Sequence, residues 1–204
     1  SITRHDIINV LTALIGYLEF AGTETSIEET RHFILKAQVA ANSIRHHIEF
    51  TRDYQDLGTK EPVWHDIRGV LKSTSNLINA KDVSILFDNN SELLVLADPL
   101  LIKVIYNIME NSMRHGEKVT KISSYWHKEI DGNLTWIFED DGIGIPSGQK
   151  HQIFAKEVGS NTGLGLFLAR EILAITGISI KETGEYGKGA KFTISVPDGK
   201  YYLN

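Results

Sequence analysis

The chain has 204 residues, of which 42% are hydrophobic and 23% charged, as in a globular protein with one large domain or two small ones. Its formal net charge of -5 provides no basic field for a polyanion, so we expect no nucleic acid partner and no contact with acidic membranes. There is no cysteine, which excludes disulfides and thiolate metal sites. The chain has neither an apolar run long enough to span a membrane nor an initial methionine, and we expect a fragment of a longer protein.

The first 58 residues predict two helices joined by a turn. In the opening stretch, apolar residues recur every three or four positions and predict one buried stripe, formed by Ile7, Leu11, Leu14 and Leu18. The turn is predicted at residues 21–26, where Ser26 and Glu29 have the spacing of a capping box.

The second helix carries a heptad seam, which is typical of helical bundles. Its members are Ile27, Thr30, Ile34, Ala37, Ala41, Ile44, Ile48 and Thr51. An intramolecular hairpin explains most of the seam, but a helix from about residue 26 to 57 would be roughly 45 Å long, against about 30 Å for the first. The excess length predicts a missing amino-terminal extension, a second copy of the chain, or both.

After a linker at residues 59–64, the pattern changes to an α+β domain over residues 65–204. Short β-branched or aromatic segments predict strands at 83–87, 93–97, 121–126, 134–139, 178–182 and 191–197. Helical spacing occurs at 67–80, 99–115 and 165–176. The predicted architecture is an α/β sandwich with helices on one face of a mixed sheet.

Two asparagines, Asn107 and Asn111, lie one turn apart in a predicted helix and are followed by Arg114 and His115. Asparagine is unfavourable in the middle of a helix, so a polar partner should face this pair. An amide oxygen suits a magnesium ion that also binds phosphate, and Arg114 could then contact the phosphates. An exposed polar stripe is the alternative interpretation.

Glycines dominate three further motifs. In the first, Asp140 precedes Gly142 and Gly144, where the backbone can approach a planar ligand and the aspartate can accept a hydrogen bond from an amino group such as that of adenine. A plain strand-to-loop turn is the alternative. The second is a glycine loop that opens a helix and can bind anionic phosphate, formed by Gly159, Gly163, Leu164 and Gly165. The third, Gly187 and Gly189, predicts a hairpin turn before the last long strand.

The order of these motifs resembles the ATP-binding domain of sensor histidine kinases, whose superfamily includes gyrase, mismatch-repair and heat-shock chaperone ATPases. The resemblance covers nearly all of residues 65–204 and implies ATP and Mg²⁺ as cofactors, with Asn111 as the metal ligand. The implied nucleotide contacts are Asn107, Asn111, Arg114, His115, Asp140, Gly142, Gly144, Lys156, Gly163, Leu164 and Gly165. Lys156 is the candidate phosphate contact in the loop 146–163, which looks shorter than the nucleotide lid of the family.

The hydrolysing members of that superfamily carry a water-activating glutamate where this chain has Asn107. Glu110 is turned about 100° away from Asn111 around the helix, so it is poorly placed to act as the missing water-activating glutamate. The resemblance therefore implies phosphoryl transfer to a side chain rather than hydrolysis.

The opening segment supplies an acceptor, because His5, Asp6 and Asn9 resemble the phosphoacceptor box of the same kinases. His5 is the implied nucleophile, Asp6 is expected to fix its tautomer, and Asn9 is implied in dephosphorylating a partner regulator. Val10 stands where many members have proline, so no kink is expected in the first helix.

The resemblance implies a cytoplasmic fragment that forms a homodimer through the hairpin, as a four-helix bundle, and passes phosphate to a response regulator receiver domain. Two alternatives stay open: a degenerate module that binds nucleotide without transferring phosphate, and a free-standing ATPase of the same superfamily.

Overall fold

Two long helices form the first part of the chain. The computed structural model describes residues 2–78, 83–87, 91–155 and 163–204. These fall into two units, divided between Gln55 and Asp56, which are treated separately below. Helix α1 is Ile2–Thr23 and helix α2 is Ile27–Asp56, with 22 and 30 residues, so the predicted difference in length is present. Ser26 lies before α2, and its Oγ accepts from the backbone N–H of Glu29 at 3.4 Å.

The buried positions of the hairpin match the predicted ones only in part: Ala37 of the predicted seam is buried, as expected. In α2 the buried residues are Ala37, Ala40, His47, Phe50 and Asp53. Of the predicted seam, Ile27, Ile34 and Ile48 are exposed, and so are Leu11 and Leu18 in α1. Two packed helices bury only the side chains along the line where they touch. In a single chain, each helix therefore has one buried stripe, and a neighbouring apolar stripe stays exposed to solvent. Heptad spacing alone could not distinguish these two stripes.

The small sheet of the second unit is antiparallel, with strand order β1-β3-β8. Its strands are β1 (Val63–Asp66), β3 (Leu93–Ala97) and β8 (Tyr201–Leu203), while β2 (Ser84–Phe87) belongs to the larger sheet. The sequence predicted β3 but missed β1 and β8, which have four and three residues. Runs this short carry little period-two pattern, and β1 begins inside the predicted linker.

The large sheet is mixed and has the order β2-β4-β5-β7-β6, with β2 and β4 parallel and the other neighbours antiparallel. Its remaining strands are β4 (Lys121–Lys128), β5 (Leu134–Asp140), β6 (Ser179–Glu182) and β7 (Lys191–Val196). The helices are α3 (Ile67–Leu77), α4 (Leu101–His115) and α5 (Gly165–Ala174). The predicted α/β architecture with a mixed sheet is confirmed, with strand ends within a few residues of the predicted ones.

The core lies between one face of the large sheet and the helices. Alternate residues of the paired strands point to the same face, and those on the covered face are buried, among them Trp136, Phe138, Phe192 and Ile194. From α4 and α5, Ile105, Ile108, Ile172 and Leu173 are fully buried. Asp140 and Glu182 share the register of this face, so two carboxylates end strands on the apolar side of the sheet. Within the described ranges, no helix is both long and apolar enough to cross a membrane.

Candidate functional site

Asp140, at the end of β5, is buried and accepts three hydrogen bonds. Its Oδ1 accepts from the backbone N–H groups of Gly142 and Ala190, each at 3.0 Å. Its Oδ2 accepts from the Ser112 hydroxyl at 2.6 Å. Two donors occupy Oδ1, so Oδ2 is the oxygen with capacity left for a ligand donor.

Ser112 was missed by the sequence analysis. It is buried on the apolar side of α4, where Leu101, Ile105 and Ile108 precede it at helical spacing. A small polar residue in a buried helical stripe needs a hydrogen-bond partner, and this signal is visible in the sequence. The partner, Asp140, is 28 residues away and could not be deduced from spacing.

The glycines around Asp140 allow backbone segments to pack against one another. A Cβ on Gly142 would lie 2.6 Å from the carbonyl oxygen of Gly116, and Gly144, at φ +74°, lies against the carbonyl oxygen of Gly189. Gly189 has φ +117°, and a Cβ there would lie 1.8 Å from the carbonyl oxygen of Asp140. Gly142 and Gly144 stay predicted nucleotide contacts, and their backbone contacts also support the loop that carries Asp140.

We expect Gly189→Ala to reduce the free energy of unfolding by at least about 3 kcal/mol, because it adds a backbone clash to an unfavourable φ. Gly187→Ala is the matched control, since Gly187 has φ +89° but a Cβ added there would meet nothing within 4 Å. That control should lose only about 1–2 kcal/mol. Urea unfolding of the two variants measures the difference, and equal losses would contradict the prediction.

The asparagine helix meets the glycine loop, as the motif order implied. Nδ2 of Asn107 donates to the carbonyl oxygen of Gly165 at 3.0 Å, and a Cβ on Gly165 would lie 3.2 Å from Asn107 Oδ1. Nδ2 of Asn111 donates to the carbonyl oxygen of Asn107 at 2.6 Å. Asn111 is half-buried, and no hydrogen bond to its Oδ1 occurs among the residues described. Asn107 thus joins α4 to α5, while Asn111 keeps an amide oxygen for a ligand.

Arg114 and His115 are exposed at the end of α4. Nη2 of Arg114 lies 2.5 Å from Oε1 of Glu110, an ion pair across one helical turn. Desolvation, and then the positive charge of Arg114, lower the pKa of His115, so its ring is neutral near pH 7. In this structure the Arg114 guanidinium therefore binds the Glu110 carboxylate, and each side chain is engaged by the other.

The glycine loop is described from Gly163 onward. Gly163 has φ +59°, and buried Leu164 accepts through its carbonyl oxygen from the N–H of Leu168 in the first turn of α5. Gly163, Leu164 and Gly165 thus lead directly into α5 beside Asn107. Two predicted residues, Lys156 and Gly159, lie outside the described residues.

In the first unit, His5 is 77% exposed and Asn9 is its nearest polar partner. Nδ2 of Asn9 lies 3.1 Å from Nδ1 of His5. The Asp6 carboxylate is 3.8 Å from the same nitrogen, too far for a hydrogen bond. Asp6 was expected to fix the tautomer, but in this structure Asn9 is the residue within hydrogen-bonding distance.

Residues 97–200 match the model of the family described as histidine kinase-, DNA gyrase B- and HSP90-like ATPase. The chain belongs to this family. A helical hairpin followed by this ATPase domain is the domain order of a histidine kinase catalytic core.

Relatives and solved structures agree with this organisation. A hybrid signal transduction histidine kinase B from Dictyostelium discoideum is 25% identical over 94% of this chain, which spans only 11% of that protein. The structure of histidine kinase ThkA in complex with response regulator protein TrrA has a TM-score of 0.71 at 18% identity, covering 96% of this chain and 59% of that one. Full-length ShkA in complex with AMPPNP gives 0.65 at 18% identity, covering 96% and 44%. At these identities the structures establish the fold.

The side-chain oxygens of Asp140 and Asn111 are suited to a magnesium nucleotide. Asp140 presents a buried carboxylate oxygen suited to an amino group, and Asn111 presents a hard amide oxygen. Within the described part of the chain, no three His, Cys, Asp or Glu side chains cluster as a metal site. Phosphate oxygens and water are the further ligands that magnesium commonly takes at nucleotide sites.

Asp141 gives this histidine kinase core a predicted pH dependence. Desolvation alone would raise its pKa, but hydrogen bonds from the Thr120 hydroxyl and from the N–H groups of Lys121 and Thr120 outweigh it, so the pKa is lowered. A lowered pKa stabilises the fold above the unfolded-state pKa of about 4, and this contribution is lost as the pH falls through the folded-state value. We therefore expect the wild-type advantage over Asp141→Asn in urea unfolding to shrink below about pH 4, and a constant difference would contradict this.

Proposed function

We propose that the chain autophosphorylates His5 from Mg-ATP and passes the phosphoryl group to an aspartate of a response regulator. The observation that carries this proposal is an exposed imidazole, paired through one ring nitrogen, in the same chain as an ATPase domain of the histidine kinase type. Exposure gives the second ring nitrogen access to a substrate, and a neutral imidazole is a nucleophile near pH 7.

The transfer needs His5 in the tautomer with its proton on Nδ1. The carboxamide oxygen of Asn9 can accept a hydrogen bond from that N–H, because the two amide orientations differ only by a flip. Asp6, at 3.8 Å, then stabilises the positive charge that develops on the ring. Nε2 forms a bond to the γ-phosphorus, the bond from that phosphorus to the β–γ bridging oxygen breaks, and ADP leaves. The Nδ1 proton of the phosphorylated ring then passes to solvent, because the His5 side chain is 77% exposed. A magnesium ion at Asn111 would neutralise phosphate charge.

Asn107 favours transfer over hydrolysis. A carboxamide cannot take a proton from water, and the Asn107 amide nitrogen already donates to the carbonyl oxygen of Gly165. Glu110, the nearest carboxylate in sequence, is paired with Arg114. The alternative of a free-standing ATPase therefore has no carboxylate base at position 107, where the hydrolysing members of the superfamily carry a glutamate.

The hairpin is proposed as a dimerisation domain. Apolar residues spaced three and four apart on α1 are exposed: Ile8, Leu11, Ile15 and Leu18. A groove of about 660 Å³ is lined by residues of both helices that include Val10, Ala13, Tyr17, Leu35 and Val39, and its α1 residues lie on a different face of the helix from that stripe. An apolar stripe of this length suits a four-helix bundle made by two copies.

The response regulator is proposed as the partner because the structure of ThkA, which shares this fold, includes one. Asn9 is one turn from His5, where it could orient water in a phosphatase reaction with that regulator.

The proposed function is tested by incubating the protein with γ-labelled ATP and Mg²⁺. A kinase acquires covalent label that is stable in base, lost in acid, and transferred to the aspartate of a receiver domain. A degenerate module binds ATP without label, and an ATPase releases phosphate without a labelled protein intermediate. Either of the last two results would overturn the proposal.

A further inference from the structure

Glu182, the last residue of β6, is a second carboxylate on the covered face of the large sheet. Its side chain is 0% exposed. Burying a carboxylate is costly unless it is paired and hydrogen-bonded, so its partners indicate what it is retained for.

Those partners join two segments beside the candidate nucleotide site. Oε1 of Glu182 accepts from the backbone N–H groups of Gly184 and Lys191, both at 3.0 Å. Nζ of Lys150 lies 2.7 Å from Oε2 and also donates to the carbonyl oxygen of Gly184. Residues 183–191, here called the β6–β7 hairpin, are thus tied at their base to the segment that follows the Asp140 loop.

The β6–β7 hairpin in turn holds Asp140. The N–H of Ala190 donates to Asp140 Oδ1 at 3.0 Å, and the N–H of Asp140 donates to the carbonyl oxygen of Ala190 at 3.0 Å. Gly187 donates to the carbonyl oxygen of Ile143 at 2.6 Å, in the loop after Asp140. A shift of the hairpin would therefore move the carboxylate.

We propose that Lys150 and Glu182 form a positioning pair that fixes the β6–β7 hairpin and so orients Asp140 toward the adenine amino group. This inference rests on the proposed nucleotide site and adds to it residues that do not touch the nucleotide. Removing Lys150 leaves a buried carboxylate without its cation, which destabilises the hairpin base where both backbone donors converge.

Hydrogen exchange of the nucleotide-free protein and ADP binding test the pair. In Lys150→Met we expect the amide of Ala190 to exchange about tenfold faster and ADP to bind about tenfold more weakly. Lys188→Met is the matched control, because Lys188 forms an exposed ion pair with Glu185 at 2.8 Å in the same hairpin. Both quantities should change less than about twofold in the control.

Two double variants separate positioning from stability. Lys150→Leu with Glu182→Leu removes the uncompensated charge and should recover part of the melting temperature lost in Lys150→Met, but not the protection of Ala190 or the ADP affinity, because Gly184 and Lys191 lose their acceptor. Lys150→Met with Glu182→Gln keeps an acceptor oxygen and should restore all three. The inference would be overturned if the Ala190 amide exchanged at the wild-type rate in Lys150→Met. It would also be overturned if the ADP affinity of both double variants changed in proportion to their melting temperatures. If the wild-type protein bound no ADP, the proposed function would fail, while the exchange rates would still decide whether the pair fixes the hairpin.

Discussion

His5→Gln is expected to abolish the covalent label that the protein acquires from γ-labelled ATP. Glutamine suits a helix and keeps polar character at this exposed position, so α1 should be unaffected. Its amide nitrogen has no available lone pair and cannot form the nitrogen–phosphorus bond. Labelling should fall at least about 100-fold, since the variant removes the attacking atom itself.

The controls for His5→Gln use the same hairpin and the same nucleotide. His32→Gln changes another exposed histidine, on α2, and should label at the wild-type rate. ADP affinity should be unchanged in His5→Gln, because Asp140 and Asn111 belong to the second unit. Acid-labile label retained in His5→Gln would mean that another residue accepts the phosphoryl group.

The parts of this fold that the sequence predicted are those whose information is local. The strands 134–139 and 191–197 were found within about one residue of β5 and β7, because alternation, β-branched residues and flanking glycines occur within each segment. The asparagine and glycine motifs also indicated, through their order, that α4 and α5 serve one site. The hydrogen bond from Nδ2 of Asn107 to the carbonyl oxygen of Gly165 joins α4 to α5.

The parts that sequence reasoning missed depend on contacts between distant residues. Nothing near Ser112 indicates Asp140, and nothing near Lys150 indicates Glu182, because these pairs meet only where a helix and a loop pack against the ends of β5 and β6. The buried residues of α2 differ in part from the predicted seam because two apolar stripes satisfy the same heptad spacing. A single partner helix covers only one of these stripes. Asp6 stays a prediction as the residue that sets the tautomer of His5: its carboxylate lies 3.8 Å from Nδ1, while Nδ2 of Asn9 lies 3.1 Å from the same nitrogen.

Asp140→Asn is expected to weaken ATP binding about 100-fold while leaving the protein folded. The asparagine oxygen can keep the two bonds from Gly142 and Ala190, and Ser112 can rotate its hydroxyl to accept from the new amide nitrogen. The amide nitrogen then faces the adenine amino group, so two donors oppose each other where a carboxylate accepted. Stability should fall by only about 1–2 kcal/mol, the difference between charged and neutral acceptors.

The sharper test of Asp140 is a change in base preference. Inosine triphosphate carries a carbonyl oxygen where ATP carries the amino group, so the amide nitrogen of Asp140→Asn would donate to it. The ratio of ATP to inosine triphosphate affinity should therefore fall in this variant, and calorimetry with both nucleotides measures it. Asp141→Asn is the matched control, because it makes the same charge change at the next residue, whose carboxylate binds Thr120 and Lys121. If both variants lowered ATP affinity equally without changing base preference, the effect would be one of charge near the site, and Asp140 would not read the adenine amino group.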